Sequence, residues 1–168
     1  MVVSIGNAIV GIIQLVISIV LAVAALYIGF SVLGKITKGI DEEKEIARGN
    51  TAVGILVASV FFAIAIVVQS GVAGVSRGLS TAWNEGLLSP AGIIAIVLSI
   101  VQLLLGIGLA IVAIYLALNI LDKLTKGIEE FEELKKGNVA VALEMAGVII
   151  TTAIIIQSGV QGITAALF

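Results

Sequence analysis

Four long runs without a charged residue constrain what this chain can fold into. They cover residues 1–34, 49–76, 86–121 and 145–168 and are 34, 28, 36 and 24 residues long. A helix needs about 20 residues to cross the hydrocarbon core of a bilayer, so each run is long enough to cross once and too short to cross twice. Because hydrocarbon offers the backbone no hydrogen-bond partners, and the runs lack the alternation of a membrane β-barrel, each is predicted to be a transmembrane helix.

The composition excludes several classes of function. Only 12% of the 168 residues are charged, whereas a soluble domain carries about a quarter. The chain has no cysteine and no histidine, which removes disulfides, thiolate chemistry, histidine-based catalysis and most transition-metal sites. Its net charge is −2, and it has no basic block of the kind that binds nucleic acid. We find no catalytic constellation and therefore expect no enzyme, no cofactor and no metal site.

The sequence contains an internal duplication at an offset of 88 residues. The segment KITKGIDEEKEIARGNTAV at 35–53 reappears as KLTKGIEEFEELKKGNVAV at 123–141, and Gln14 aligns with Gln102. Two crossings per copy return the chain to the same side, so the copies are parallel. The predicted fold is all-α, an integral membrane protein with four transmembrane helices as two parallel two-helix repeats. The first repeat, an external connection and the second repeat are predicted at 1–76, 77–89 and 90–168.

The distribution of basic residues predicts the orientation. Eight of the nine Lys and Arg residues lie in or beside the repeated loops, and Arg77 is alone on the other side. By the positive-inside rule, loops 35–49 and 122–137 are predicted to be cytoplasmic and both termini outside, in the cell (inner) membrane. Three positions report this orientation: Lys38 and Lys126, expected to face the cytoplasm, and Trp83, expected outside.

Each loop ends in a Gly-Asn pair that connects a short charged helix to the next span. Gly49 and Gly137 are predicted to end the short helices as C-caps. Asn50 and Asn138 are predicted to begin the spans as N-caps, because an asparagine oxygen accepts a hydrogen bond from the backbone at a helix start. Replacing either asparagine by alanine is expected to cost about 1 kcal/mol.

The loops resemble a known family. A threonine in a short polar turn, an acidic stretch and then Glu-hydrophobic-x-x-Gly-Asn-x-Ala are similar to the domain of unknown function 350 family. The matching residues are Thr37, Glu45, Ile46, Gly49, Asn50 and Ala52 in the first copy and Thr125, Glu133, Leu134, Gly137, Asn138 and Ala140 in the second. The second copy keeps the family's Asp before the turn as Asp122, where the first has Gly34; Lys38 and Lys126 stand where the family often has proline. The resemblance implies a small inner-membrane protein of tandem two-helix units, and no established activity.

Glu144 is the only charged residue inside a span. It lies six residues past Asn138, about 9 Å into the helix, and its counterpart in the first copy is Leu56. An acid in a span is a candidate ion or proton site. If the third and fourth spans are antiparallel neighbours, Tyr115 and Asn119 lie at a depth where they can form a hydrogen-bonded cluster with it. The alternatives are that Glu144 reaches up to the cytoplasmic face and that Tyr115 belongs to the interfacial aromatic belt.

Four glutamines fall at one level, about 30 Å from the loop ends of the spans. They are Gln14, Gln69, Gln102 and Gln157. One interpretation is that they line a polar mouth near the outer face. The other is that they form hydrogen bonds between helices.

Two functions from different classes remain. The leading hypothesis is a small oligomeric membrane protein that forms or supports a channel or transport path. The alternative is a structural or accessory subunit that binds a partner through its cytoplasmic loops. The expected partners are the lipid bilayer, further copies of the chain and, under the alternative, a membrane or cytoplasmic protein; nucleic acid is not expected. A cavity lined by polar residues would favour the first hypothesis, and a dry bundle with a large exposed apolar face the second.

Overall fold

The computed structural model describes residues 5–37, 39–125 and 127–167, and every element in them is a helix. The helices are α1 (Ile5–Ile36), α2 (Glu42–Ala47), α3 (Thr51–Glu85), α4 (Pro90–Leu124), α5 (Glu130–Lys135) and α6 (Val139–Leu167). Four of them are long and apolar enough to cross a membrane. The prediction of an all-α membrane protein with four spans is confirmed. Lys38 and Lys126 lie outside the described residues.

Part of the connection between the repeats is helical. Helix α3 continues to Glu85, so most of the connection expected at 77–89 is helical and only 86–89 is a turn. Gly86 takes a φ of +93° there, which a residue without a side chain adopts readily. Ser89 then caps α4 by accepting a hydrogen bond from the Gly92 N–H at 3.0 Å, and Pro90 occupies the first helical position.

Helix α3 is the centre of the bundle. It packs against α1, α4 and α6, and α4 also packs against α6. Helix α1 lies at the edge, because its main contact is with α3 and most of its described side chains are exposed. The two repeats are therefore not equally enclosed: α4 is held between α3 and α6, while α1 and α6 do not form a packed pair among the described residues.

Glycines on α3 let α4 approach closely. A Cβ added at Gly71 would overlap the Leu103 side chain and lie 3.4 Å from the Leu103 Cα atom. One added at Gly78 would lie 2.8 Å from the Ala95 carbonyl oxygen. Glycine at such positions allows two helix backbones to pack at short range, so the α3–α4 contact depends on the absence of side chains there.

Candidate functional site

The two repeated loops lie together at one end of the bundle, which we call the loop end. Each loop is closed by a hydrogen bond from a threonine to a glutamate five residues later. Thr37 donates to Glu42 Oε1, and Thr125 donates to Glu130 Oε1. The glutamates stand at the start of α2 and α5, so each bond fixes the short helix against the end of the preceding span.

A single asparagine organises the other side of each loop. Asn50 Oδ1 accepts from the Val53 N–H at 3.2 Å, while its amide donates to Glu45 Oε2 at 2.9 Å. In the second repeat Asn138 Oδ1 accepts from the Ala140 and Val141 N–H groups at 3.1 and 3.4 Å, and its amide donates to Glu133 Oε2 at 2.8 Å. Each asparagine therefore begins a span and holds the short helix that precedes it.

The first of these asparagines also joins the two repeats. The Asn50 amide lies 2.9 Å from the Leu134 carbonyl oxygen and 3.3 Å from that of Lys135, at the end of α5. Asn50 therefore adds a donor from the first repeat to the carbonyls at the end of α5, where the Leu134 oxygen also accepts from the Gly137 N–H at 3.0 Å. No corresponding bond from Asn138 to α2 occurs among the described residues.

Glu130 is the buried acid of the loop end. It is 1% exposed, and its Oε2 atom is buried without a hydrogen-bond donor among the described residues. Burial raises the pKa of Glu130, and the hydrogen bond and charge of Asp122 and the charge of Glu144 raise it further. The neutral form of Glu130 is therefore favoured beside Asp122, because a second negative charge would be buried next to the first.

The pair of neighbouring acids, Asp122 and Glu130, belongs to the second repeat alone. Gly34 stands at the position equivalent to Asp122, and a Cβ added there would lie 4.0 Å from a Glu42 carboxylate oxygen. Glu130 was not among the site residues expected from the sequence, where it is one acid of a charged segment. The available signal was the threonine–glutamate spacing, which recurs in both copies, together with Asp122 in one copy only.

Glu144 lies on the exposed side of α6. It lines an open groove of about 440 Å³ with Gly147, Thr151 and Thr152. The Asn119 amide donates to the Tyr115 carbonyl oxygen of its own helix at 2.7 Å, and Tyr115 is exposed. No described hydrogen bond joins either residue to Glu144, so within one chain Glu144 faces outward rather than into a buried cluster.

The glutamines differ in their surroundings. Gln14 donates to the Ser76 carbonyl at 3.1 Å and to Ser80 Oγ at 2.9 Å. Gln102 is buried and donates to the Val160 carbonyl at 3.2 Å and to Thr164 Oγ1. Each of these glutamines ties the two spans of its own repeat together. Of the other two, Gln69 is exposed in a groove between α1 and α3, and Gln157 is half-buried.

The comparison with known families agrees with the duplication. A family model described as Domain of Unknown Function (DUF350) matches residues 7–105 and again residues 95–168. The two matches lie in tandem and together cover both repeats. No curated protein and no solved structure matches the chain.

Proposed function

We propose a function for this chain, which belongs to the Domain of Unknown Function family DUF350: several copies assemble in the membrane, where they form or support a path for protons or cations. The observation that carries the proposal is the exposed position of Glu144 within a candidate span. A charged group at membrane depth is costly in lipid and faces protein or a water-filled cavity in membrane proteins. Within one chain, no described residue packs over Glu144. We therefore expect its carboxylate to contact another copy of the chain or water.

The residues around Glu144 continue the same pattern along the helix. One side of α6, here called the α6 face, is formed by Glu144, Gly147, Thr151, Ile155, Ser158 and Gly162, all exposed. Their spacing of three and four residues places them in one line along the helix. Five of the six are polar or small, which is typical of a helix face that contacts protein or water rather than lipid tails.

The position of the acids favours protons or cations over anions. Glu144 is close enough to Glu130 to raise the pKa of that buried acid, and Asp122 lies beside Glu130. Three acids therefore gather where the α6 face meets the loop end. Negative charge concentrates cations and repels anions, and the carboxyl groups offer sites where a proton can bind and leave.

Flux through reconstituted protein tests the proposal. Liposomes containing the purified chain should show pH-dependent uptake of protons or of a monovalent cation, and Glu144→Gln should abolish it because the amide cannot ionise. Glu43→Gln is the matched control, since Glu43 is an exposed acid of α2 in the other repeat, and it should leave the flux unchanged. Absence of flux at every pH, or equal flux in Glu144→Gln, would refute the proposal and favour the accessory-subunit hypothesis.

A further inference from the structure

We infer that a second copy of this chain covers the α6 face, in a head-to-tail contact that repeats the one its own two halves make. The inference rests on the proposed function, in which several copies assemble in the membrane. It adds which surfaces of two copies contact each other. It follows from comparing equivalent positions of the two repeats. The face of α3 in the first repeat is buried, whereas the equivalent α6 face in the second repeat is exposed. Conversely, the groove between α4 and α6 in the second repeat is buried, whereas the equivalent groove between α1 and α3 in the first repeat is open.

Helix α3 shows how the contact is made within one chain. Its face equivalent to the α6 face consists of Leu56, Ser59, Ala63, Val67, Ser70 and Gly74, all buried. Leu103 of α4 lies against Gly71, beside this face, and the Gln102 side chain covers Gly74 at 3.0–3.2 Å from an added Cβ. Within one chain, residues of the second repeat therefore pack against this face of α3 and bury it.

The α6 face shares the serine and glycine at its far end with the α3 face, but no described residue packs against it. Val67 is 2% exposed, whereas its counterpart Ile155 is 67% exposed. A Cβ added at Gly159 or Gly162 meets nothing within 4 Å, although the equivalent positions Gly71 and Gly74 are closely packed. The sequence QSGV occurs at both places, so the difference lies in what packs there and not in the helix itself.

The first repeat presents the complementary surface, also uncovered. Leu15 is 60% exposed, whereas its counterpart Leu103 is 3% exposed. A groove of about 370 Å³ lies open between α1 and α3 and is lined by apolar residues that include Ala22, Ala65 and Val72. The equivalent residues of the second repeat, Ala110, Ala153 and Val160, are all buried. The groove between α4 and α6 is therefore filled within the chain, while the equivalent groove between α1 and α3 is open, at the place where the equivalence of the repeats puts the α6 face of a second copy.

The loop end has the same imbalance. Leu134 on α5 is fully buried, and its carbonyl accepts from Asn50. Its counterpart Ile46 on α2 is exposed, and Asn138 has no described bond across a repeat boundary. In the head-to-tail contact the Asn138 amide of one copy meets the Ile46 carbonyl of the next, which completes the set of equivalent interactions.

Repeating this contact links one chain to the next. The rotation that superposes the first half of a chain on its second half would also superpose that second half on the first half of the next chain. Both repeats cross one bilayer in parallel, so the rotation axis is the membrane normal, and the head-to-tail contact closes into a ring where the rotation angle divides a full turn. One Glu144 then lies at each junction between chains, at the position that Leu56 occupies inside a chain.

Disulfide cross-linking in membranes tests the contact, since the chain has no cysteine of its own. The pair Leu15→Cys with Gly159→Cys should give, on oxidation, a ladder of bands at multiples of the 17.2 kDa chain. Gly71→Cys with Leu103→Cys is the positive control and should cross-link within one chain. Leu15→Cys with Gln161→Cys is the negative control, because Gln161 and its counterpart Ala73 are both exposed, and it should remain monomeric.

Two results would overturn the inference. One is failure of the 15–159 pair to link when the 71–103 pair links. The other is linking of Gly159→Cys to itself, which would indicate a two-fold contact between α6 helices. Flux in the absence of a 15–159 cross-link would reject this interface and leave the proposed function standing. A 15–159 cross-link in the absence of flux would support the interface and reject the proposed function.

A second measurement uses a variant that should fold normally. Gly159→Leu enters open space within one chain, so helix content should be unchanged. In mild detergent the assembly should be replaced by protomers of 17.2 kDa, measured by light scattering after size-exclusion chromatography. An unchanged assembly mass in this variant would contradict the interface.

Discussion

Asn50 should contribute more to the stability of a single chain than Asn138, although the two residues are equivalent by sequence. Both cap a span, which contributes about 1 kcal/mol, and both donate to a glutamate of the preceding short helix. Only Asn50 also donates to the Leu134 carbonyl, at 2.9 Å. A hydrogen bond of this kind contributes about 1 kcal/mol, so Asn50→Ala should cost about 1 kcal/mol more than Asn138→Ala.

Serine variants isolate the cross-repeat bond. Asn50→Ser and Asn138→Ser each keep a capping oxygen but lose the amide donor, so the difference between them should remain about 1 kcal/mol. It should be measured by denaturant unfolding in detergent, followed by circular dichroism, with Gly159→Leu in the background to keep the chains separate. Equal unfolding free energies for the two serine variants would refute the assignment of a bond between Asn50 and α5. In the assembled protein the difference should shrink, because Asn138 then gains its own partner.

Three further predictions concern other parts of the chain. The pKa of Glu130 is raised in the folded state, so its contribution to stability is full below the ordinary Glu pKa and is lost as pH rises through the folded-state value. The unfolding free energy should fall by about 1.4 kcal/mol for each unit by which folding raises the pKa. Glu130→Gln should remove this fall, measured by unfolding at a series of pH values, because the amide cannot ionise and can still donate to Asp122. Gly71→Leu should reduce folded protein sharply in the same unfolding assay, because the added side chain overlaps α4. An impermeant thiol reagent applied to intact cells should label Trp83→Cys and not Lys38→Cys, and the opposite result would reverse the predicted orientation.

Much of the fold could be predicted from the sequence because it depends on local properties. The length of each apolar run sets the number of spans, since a helix must match the bilayer thickness. Glycine and asparagine set the helix boundaries: Gly49 and Gly137 take φ values of +82° and +85°, which other residues rarely adopt. The candidate site was predictable only in part. Glu144 stood out because it is a charged residue in an apolar run. Glu130 did not, because it is one of several acids in a charged segment, and the sequence does not show which of their carboxyl groups becomes buried in the folded chain.

The sequence by itself determined that the two halves are copies and therefore that each helix has a counterpart with nearly the same local chemistry. The tertiary structure alone decided which copy is covered. Gly71 and Gly159 lie in the same tetrapeptide, yet one is packed against Leu103 and the other faces open space. Gln14 and Gln102 likewise each donate to a carbonyl and a hydroxyl on the second span of their own repeat, but only Gln102 is buried. Burial is a property of the neighbours that a residue acquires and not of the residue. A single chain with two repeats forms one junction between them, and this leaves one set of matching surfaces without a partner.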